Sequence, residues 1–141
     1  MKKILFLCTG NSCRSQIAEG IAQNIIGRKY YIESAGTEKH GVNPNAIKTL
    51  KEIGINISGH KSKTISLNDL NNFDLVITLC GDAKDKCPIL DKGVKHIHWD
   101  LNDPAKFTGD DLEIISNFRK TRDLILNNIK ELKFNLEKGI L

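Results

Sequence analysis

The chain has 141 residues, 40% of them hydrophobic and 27% charged, with 21 Lys and Arg against 17 Asp and Glu for a formal charge of +4. That length and balance fit a single globular domain over residues 1–141 and exclude a disordered chain. The charge excess is mild, its signs are interleaved, and no basic run stands beside aromatic residues, so nucleic acid is not an expected partner.

Residues 4–8, Ile-Leu-Phe-Leu-Cys, form a continuous apolar run that suits a central parallel strand covered on both faces. Its four apolar residues before Cys8 fall short of the about 7–15 of a secretory signal, and nothing later approaches the ~18 of a membrane span. A cytoplasmic location without a membrane partner is the expectation. A helix should follow from about Ser15, with Ala18, Ile21, Ala22, Ile25 and Ile26 at three- and four-residue spacing and Gly27 as its stop. Tyr30 to Glu33 reads as a second strand leading into Ser34-Ala35-Gly36. Asn43-Pro44 opens another helix as cap and first helical residue, with Ala46, Ile47, Leu50 and Ile53 as its buried stripe.

The polar stretch from residue 55 to 72 predicts loop with a short helix near Leu67 to Leu70. Residues 75–79 form the second clear buried strand, residues 81–88 a loop or weak helical turn, and residues 94–99 a shorter strand. A long amphipathic helix over residues 112–132 places Leu112, Ile115, Phe118, Ile125, Ile129 and Leu132 on one side. Strands alternating with helices predict an α/β fold, a central four-stranded parallel sheet with helices on both faces. Ligands of such sheets bind beyond the carboxyl ends of the strands. Cys8, Cys80 and the loop bearing Asp103 are therefore expected on one rim.

The stretch Cys8-Thr9-Gly10-Asn11-Ser12-Cys13-Arg14-Ser15 joins that first strand to its helix. Successive N–H groups in such a turn converge on an anion, and the helix start adds positive potential. Gly10 permits tight or left-handed backbone, Asn11 tolerates it, and Arg14 offers a planar fork to two oxygens. Residues Thr9, Gly10, Asn11, Ser12, Cys13 and Arg14 are thus expected to cradle a tetrahedral oxyanion. Cys8 sits where the field converges, as a nucleophile whose sulfur Ser15 can hydrogen-bond.

Four cysteines, Cys8, Cys13, Cys80 and Cys87, are read as reduced thiols with catalytic or redox work. Gaps of four and six residues fit zinc poorly, because structural sites usually use about two to four between paired ligands. His40, His60, His96 and His98 supply no ligand spacing either, and His96 and His98 read as structural.

The loop resembles the phosphate-binding loop of the low-molecular-weight protein tyrosine phosphatase fold, and more closely that of the thioredoxin-coupled arsenate reductases on this fold. Ser34-Ala35-Gly36-Thr37, His40-Gly41-Val42-Asn43-Pro44, Val76-Ile77-Thr78-Leu79-Cys80, Cys87-Pro88 and His98-Trp99 resemble family segments in family order. The resemblance implies that Cys8 attacks arsenate, Arg14 and the loop stabilise charge, and Asp103 protonates the departing oxygen. It further implies a Cys8–Cys80 disulfide, then a Cys80–Cys87 disulfide returned to thiols by thioredoxin. Phosphate and sulfate would compete, no tightly bound cofactor would be needed, and the enzyme would be a monomer. Ala105-Lys106-Phe107 stands where phosphatase relatives place tyrosines after the Asp-Pro pair. A low-molecular-weight phosphatase and a non-catalytic thiol sensor of redox state or arsenic are the alternatives. Some reductases of this family bind potassium, and the matching positions Asn11, Glu19 and Ser34 are present, with Lys63 where an acidic residue is expected.

Overall fold

The computed structural model describes residues 2–87 and 89–141; Pro88, the last residue of the predicted 81–88 loop, lies outside them. Four strands, β1 (Lys2–Cys8), β2 (Tyr30–Gly36), β3 (Leu75–Thr78) and β4 (Lys95–His98), form one sheet in the order β2-β1-β3-β4. Every pairing is parallel, with Cys8 opposite Gly36 and Leu7 opposite Thr78. The predicted α/β class and four-stranded parallel sheet are what the chain forms.

The central strand is β1, whose residues from Ile4 to Cys8 are all buried, as a strand covered on both faces requires. Alternate residues part company: Phe6 meets Trp99 with ring centroids 5.9 Å apart, while Leu7 faces Leu70 and Lys86. The Phe6 side carries the long helix α4 (Asp111–Glu137), packed against α1 (Arg14–Ile25) and α2 (Pro44–Lys51). The Leu7 side carries a 3-10 turn over Leu67–Asn72 and the six-residue helix α3 (Gly81–Lys86).

Asn43 caps α2 as expected, its Oδ1 accepting the Asn45 N–H at 2.9 Å, with Pro44 in the first turn. Ile115, Phe118, Ile125, Ile129 and Leu132 of α4 are buried, but Leu112 is 77% exposed. The first turn of α4, residues 111–113, is exposed throughout, so its side chains have no neighbouring element to meet. Ile53 likewise lies past the end of α2 and is exposed. The region after β3, read as loop or weak turn, is the helix α3, capped by Cys80. No helix among the described residues is long and apolar enough to cross a membrane.

Going from β1 to α1 leads to one side of the sheet and from β3 to α3 leads to the other. The carboxyl ends of β1 and β3 lie side by side where the connections diverge, which is where open α/β sheets leave a crevice. Cys8 ends β1 and Cys80 follows β3 by two residues.

Candidate functional site

Between β1 and α1, residues 9–13 curl into a cradle whose shape is set from outside. The Thr37, Glu38, His40 and Asn43 N–H groups donate to the carbonyls of Cys8, Thr9, Gly10 and Ser12 at 2.8–3.1 Å. A trans peptide holds its C=O and N–H on opposite sides. Four carbonyls turned outward therefore turn the N–H groups of Thr9, Gly10, Asn11 and Cys13 inward, the nest that an oxyanion needs.

Asn11 has φ 48° and is fully buried, in the left-handed region that Asn tolerates. Its Nδ2 donates to Ser15 Oγ at 2.8 Å and Ser34 Oγ at 2.9 Å; its Oδ1 accepts from Lys63 N at 2.9 Å and Gln16 Nε2 at 3.0 Å. Gly10 is needed for a different reason from the predicted left-handed backbone: a Cβ there would lie 2.4 Å from His40 Nδ1.

Cys8 Sγ lies 2.8 Å from Ser15 Oγ, and both residues are buried. Because Ser15 Oγ already accepts from Asn11, its own hydrogen is free to point at the sulfur. Arg14 is buried beside it, donating through Nη1 to Leu101 O at 2.9 Å, with Nη2 3.7 Å from Asp103 Oδ2. Asp103 does two things at once. Its Oδ1 accepts from Ala105 N at 3.0 Å, the turn-forming role of such a residue, and that bond aims Oδ2 at Arg14.

Cys8, Arg14 and Asp103 line a cavity of about 360 Å³ with Thr9, Gly10, Ser12 and Cys13, joined by His40, Ala105 and Lys106. His40 and Lys106 were not legible as site residues. Burial pushes the Cys13 thiol up to about 12, with Asp103 and Cys8 adding in the same direction, so Cys13 stays protonated and packs.

Cys80 comes to the same rim, its Sγ 3.2 Å from Thr9 Oγ1 and accepting the Ala83 N–H at 3.4 Å. Cys87 stands at the other end of α3, half-buried, its thiol pushed up by burial. All four cysteines are free thiols. Cys8, Arg14, Ser15, Cys80 and Asp103 are therefore together, with Cys87 one short helix away.

Asn11, Glu19 and Ser34 are also together, but as a closed network. Glu19 Oε1 accepts from Ser34 N and Oγ at 2.7 and 2.8 Å, and Oε2 lies 3.0 Å from His60 Nδ1. Lys63 directs its ammonium away, to Glu33 at 2.5 Å. With Asn11 Oδ1 and Glu19 Oε1 each already accepting two protein hydrogen bonds, Glu19 Oε2 beside a His60 Nδ1 that also lies 3.0 Å from Gln16 Oε1, and Lys63 where an acidic fourth ligand is expected, the set does not fit a potassium cage as arranged.

The family model for low molecular weight phosphotyrosine protein phosphatase matches residues 3–140. The chain belongs to this family. Within the phosphatase family it is 53% identical over 130 residues to an arsenate reductase of Bacillus subtilis (strain 168), covering 92% of this chain and 94% of that one. A solved structure described as an arsenate reductase in the phosphate binding state matches with TM-score 0.76 and 33% identity, covering 96% and 98% of the two chains. A Corynebacterium glutamicum thioredoxin-dependent arsenate reductase matches with TM-score 0.68 and 27% identity, covering 92% of this chain and 62% of that one.

Proposed function

We propose that this protein reduces arsenate to arsenite through Cys8, Cys80 and Cys87, with thioredoxin as the final reductant. The observation that carries the reading is the second thiol on the rim: Cys80 Sγ touches Thr9, the neighbour of Cys8, at 3.2 Å. A phosphatase needs only water to release its cysteine adduct, whereas a reductase needs a thiol within reach of that cysteine.

In this reading Cys8 thiolate attacks arsenic, an S–As bond forms, and an As–O bond breaks with Asp103 giving its oxygen a proton. Arg14, turning from Leu101 O, and the inward N–H groups carry the oxyanion charge. Cys80 then attacks Cys8 Sγ. An S–S bond forms, the S–As bond breaks with its pair remaining on arsenic, and arsenite leaves. Cys87 attacks Cys80, freeing Cys8, and the dithiol of thioredoxin reduces the Cys80–Cys87 disulfide.

The last exchange requires α3 to open. Seven positions of helix span roughly 10 Å at about 1.5 Å each, beyond the ~7 Å Cα limit of a disulfide. A helix of six residues that buries only Ala83 has little to hold it.

Arsenite production coupled to thioredoxin, thioredoxin reductase and NADPH tests the activity. Cys87→Ser should release about one arsenite per enzyme and stop, with Cys8 joined to Cys80 by mass spectrometry, while Cys80→Ser releases none. Sustained turnover by Cys87→Ser would refute the relay, and aryl phosphate hydrolysis without any arsenite would return the protein to the phosphatase reading.

A further inference from the structure

His40 lines the oxyanion cavity, and nothing in the relay uses it. Its place is fixed at two points. The backbone N–H donates to Gly10 O at 3.0 Å, and ring Nε2 lies 2.7 Å from Glu38 Oε2. A carboxylate only accepts, so Nε2 carries the hydrogen and, in a neutral ring, Nδ1 is left as a bare lone pair. That nitrogen is the His40 atom nearest the open face of Gly10, and it has no protein partner among the described residues. The inward N–H groups of the loop, Arg14 and Lys106 can only donate, and Asp103 is already engaged by Ala105 N and Arg14. His40 brings the cavity wall an uncommitted acceptor.

We infer that His40 is a specificity-determining residue: its Nδ1 accepts a hydrogen bond from the protonated oxygen of the bound oxyanion, and Glu38 positions it for that. The inference rests on the oxyanion site of the proposed function and names how that site chooses among tetrahedral anions. At about pH 8 phosphate, arsenate and sulfate are all dianions of similar size, but phosphate and arsenate each keep one O–H and sulfate has none. A lone pair facing an O–H attracts it; the same lone pair facing a bare anionic oxygen repels it. A site built to bond a substrate hydroxyl rejects the analogue that lacks one, and the repulsion adds to the lost bond. Charge and shape cannot separate these anions, but one proton can.

The test titrates the full chain with phosphate and with sulfate by calorimetry at about pH 8, so it needs neither arsenate nor turnover. The parent should prefer phosphate, and His40→Ala should lower the ratio of phosphate to sulfate affinity about tenfold, the size of one hydrogen bond to an anion. The His40 side chain is 53% exposed, so its truncation opens no core cavity. A ring that only braced Gly10 would cost both anions alike and leave the ratio where it was. Glu38→Gln should lower the ratio by roughly threefold, because an amide can also donate to Nε2 and so leave the ring hydrogen on Nδ1. A ratio in His40→Ala within about twofold of the parent would overturn the inference, and so would a parent that binds sulfate as tightly as phosphate; an unchanged ratio in Glu38→Gln would overturn the part given to Glu38. A protein that keeps the preference but makes no arsenite has lost the relay and not this inference, so the two failures are distinguishable.

Discussion

Replacing Gly36 by alanine puts the architecture of the cradle under test. Gly36 is the last residue of β2 and pairs with Cys8. A Cβ there would lie 2.5 Å from both Thr9 O and Glu38 O and 2.8 Å from Asn11 N. All three are backbone atoms, and Thr9 O and Glu38 are already joined by the Glu38 N–H bond at 2.8 Å, so neither can swing aside. Ordinary contact begins near 3.4 Å, so the loop must retreat by roughly 0.5–1 Å, an overpacking cost of about 1–3 kcal/mol. For a domain of this size that lowers Tm by roughly 5–10 °C. Displacement by about 1 Å in a positioned site can cost ~100-fold in rate, and the inward N–H groups should lose phosphate affinity together. Thermal unfolding by circular dichroism and phosphate titration by calorimetry measure the two effects. Gly10→Ala is the control: its Cβ would meet the His40 side chain, 53% exposed and held by an exposed pair with Glu38, which can give way more readily than backbone, so both losses should be smaller. A Gly36→Ala protein with Tm within about 2 °C of the parent and unchanged phosphate affinity would refute this account of the loop.

Arg14→Lys keeps the charge but loses the fork and the bond to Leu101 O, and should weaken phosphate binding by tenfold or more, about 1.5–3 kcal/mol, in the same calorimetric titration. Partial desolvation of the His96 ring first, and then His98 and Lys84, lower its affinity for a proton, so the unfolded chain binds more protons as pH falls below 6.5. Its contribution is intact above that pH and is lost below it; His96→Gln should flatten the fall of Tm on acidification, and an identical slope in the variant would count against the assignment.

What could be read in advance was whatever is written locally. The continuous apolar runs ending at Cys8 and near Leu79 predict strands covered on both faces, because burial on two sides erases alternation. Asn43-Pro44 predicts a helix start because the cap and the fixed φ are properties of those two residues alone. The cradle was legible as a turn between strand and helix, but its enforcement was not. The segment from Thr37 to Asn43 holds four carbonyls outward, and Gln16 and Lys63 hold Asn11, contacts that depend on where the chain returns. The hydroxyl of Thr9 meets Cys80 and Asp82 across 71 and 73 positions, which no periodicity announces. The helix α3 reads only as a loop or weak helical turn because its composition favours helix weakly and its cap is a cysteine sulfur. Leu112 was misplaced because period places a side chain on a face, while burial also requires that something stand opposite.

The two sides of the rim answer opposite demands. The nucleophile side must not move: Cys8, Asn11, Ser15 and Ser34 are buried and joined by hydrogen bonds of 2.8–2.9 Å. Beneath them α1 and α4 lock the Phe6 face with Ile17, Ile21, Phe118, Ile125 and Ile129, all nearly inaccessible. The relay we propose requires the Cys80 side to move, and its helix buries one methyl side chain, Ala83, worth only about 1 kcal/mol of apolar burial. Opening α3 therefore breaks a short helix and a few surface contacts without drawing on the core that holds the cradle. Placing the two thiols on connections that leave opposite faces of the sheet is what lets one chain be rigid at Cys8 and yielding at Cys80, 72 residues apart in sequence and neighbours on one rim.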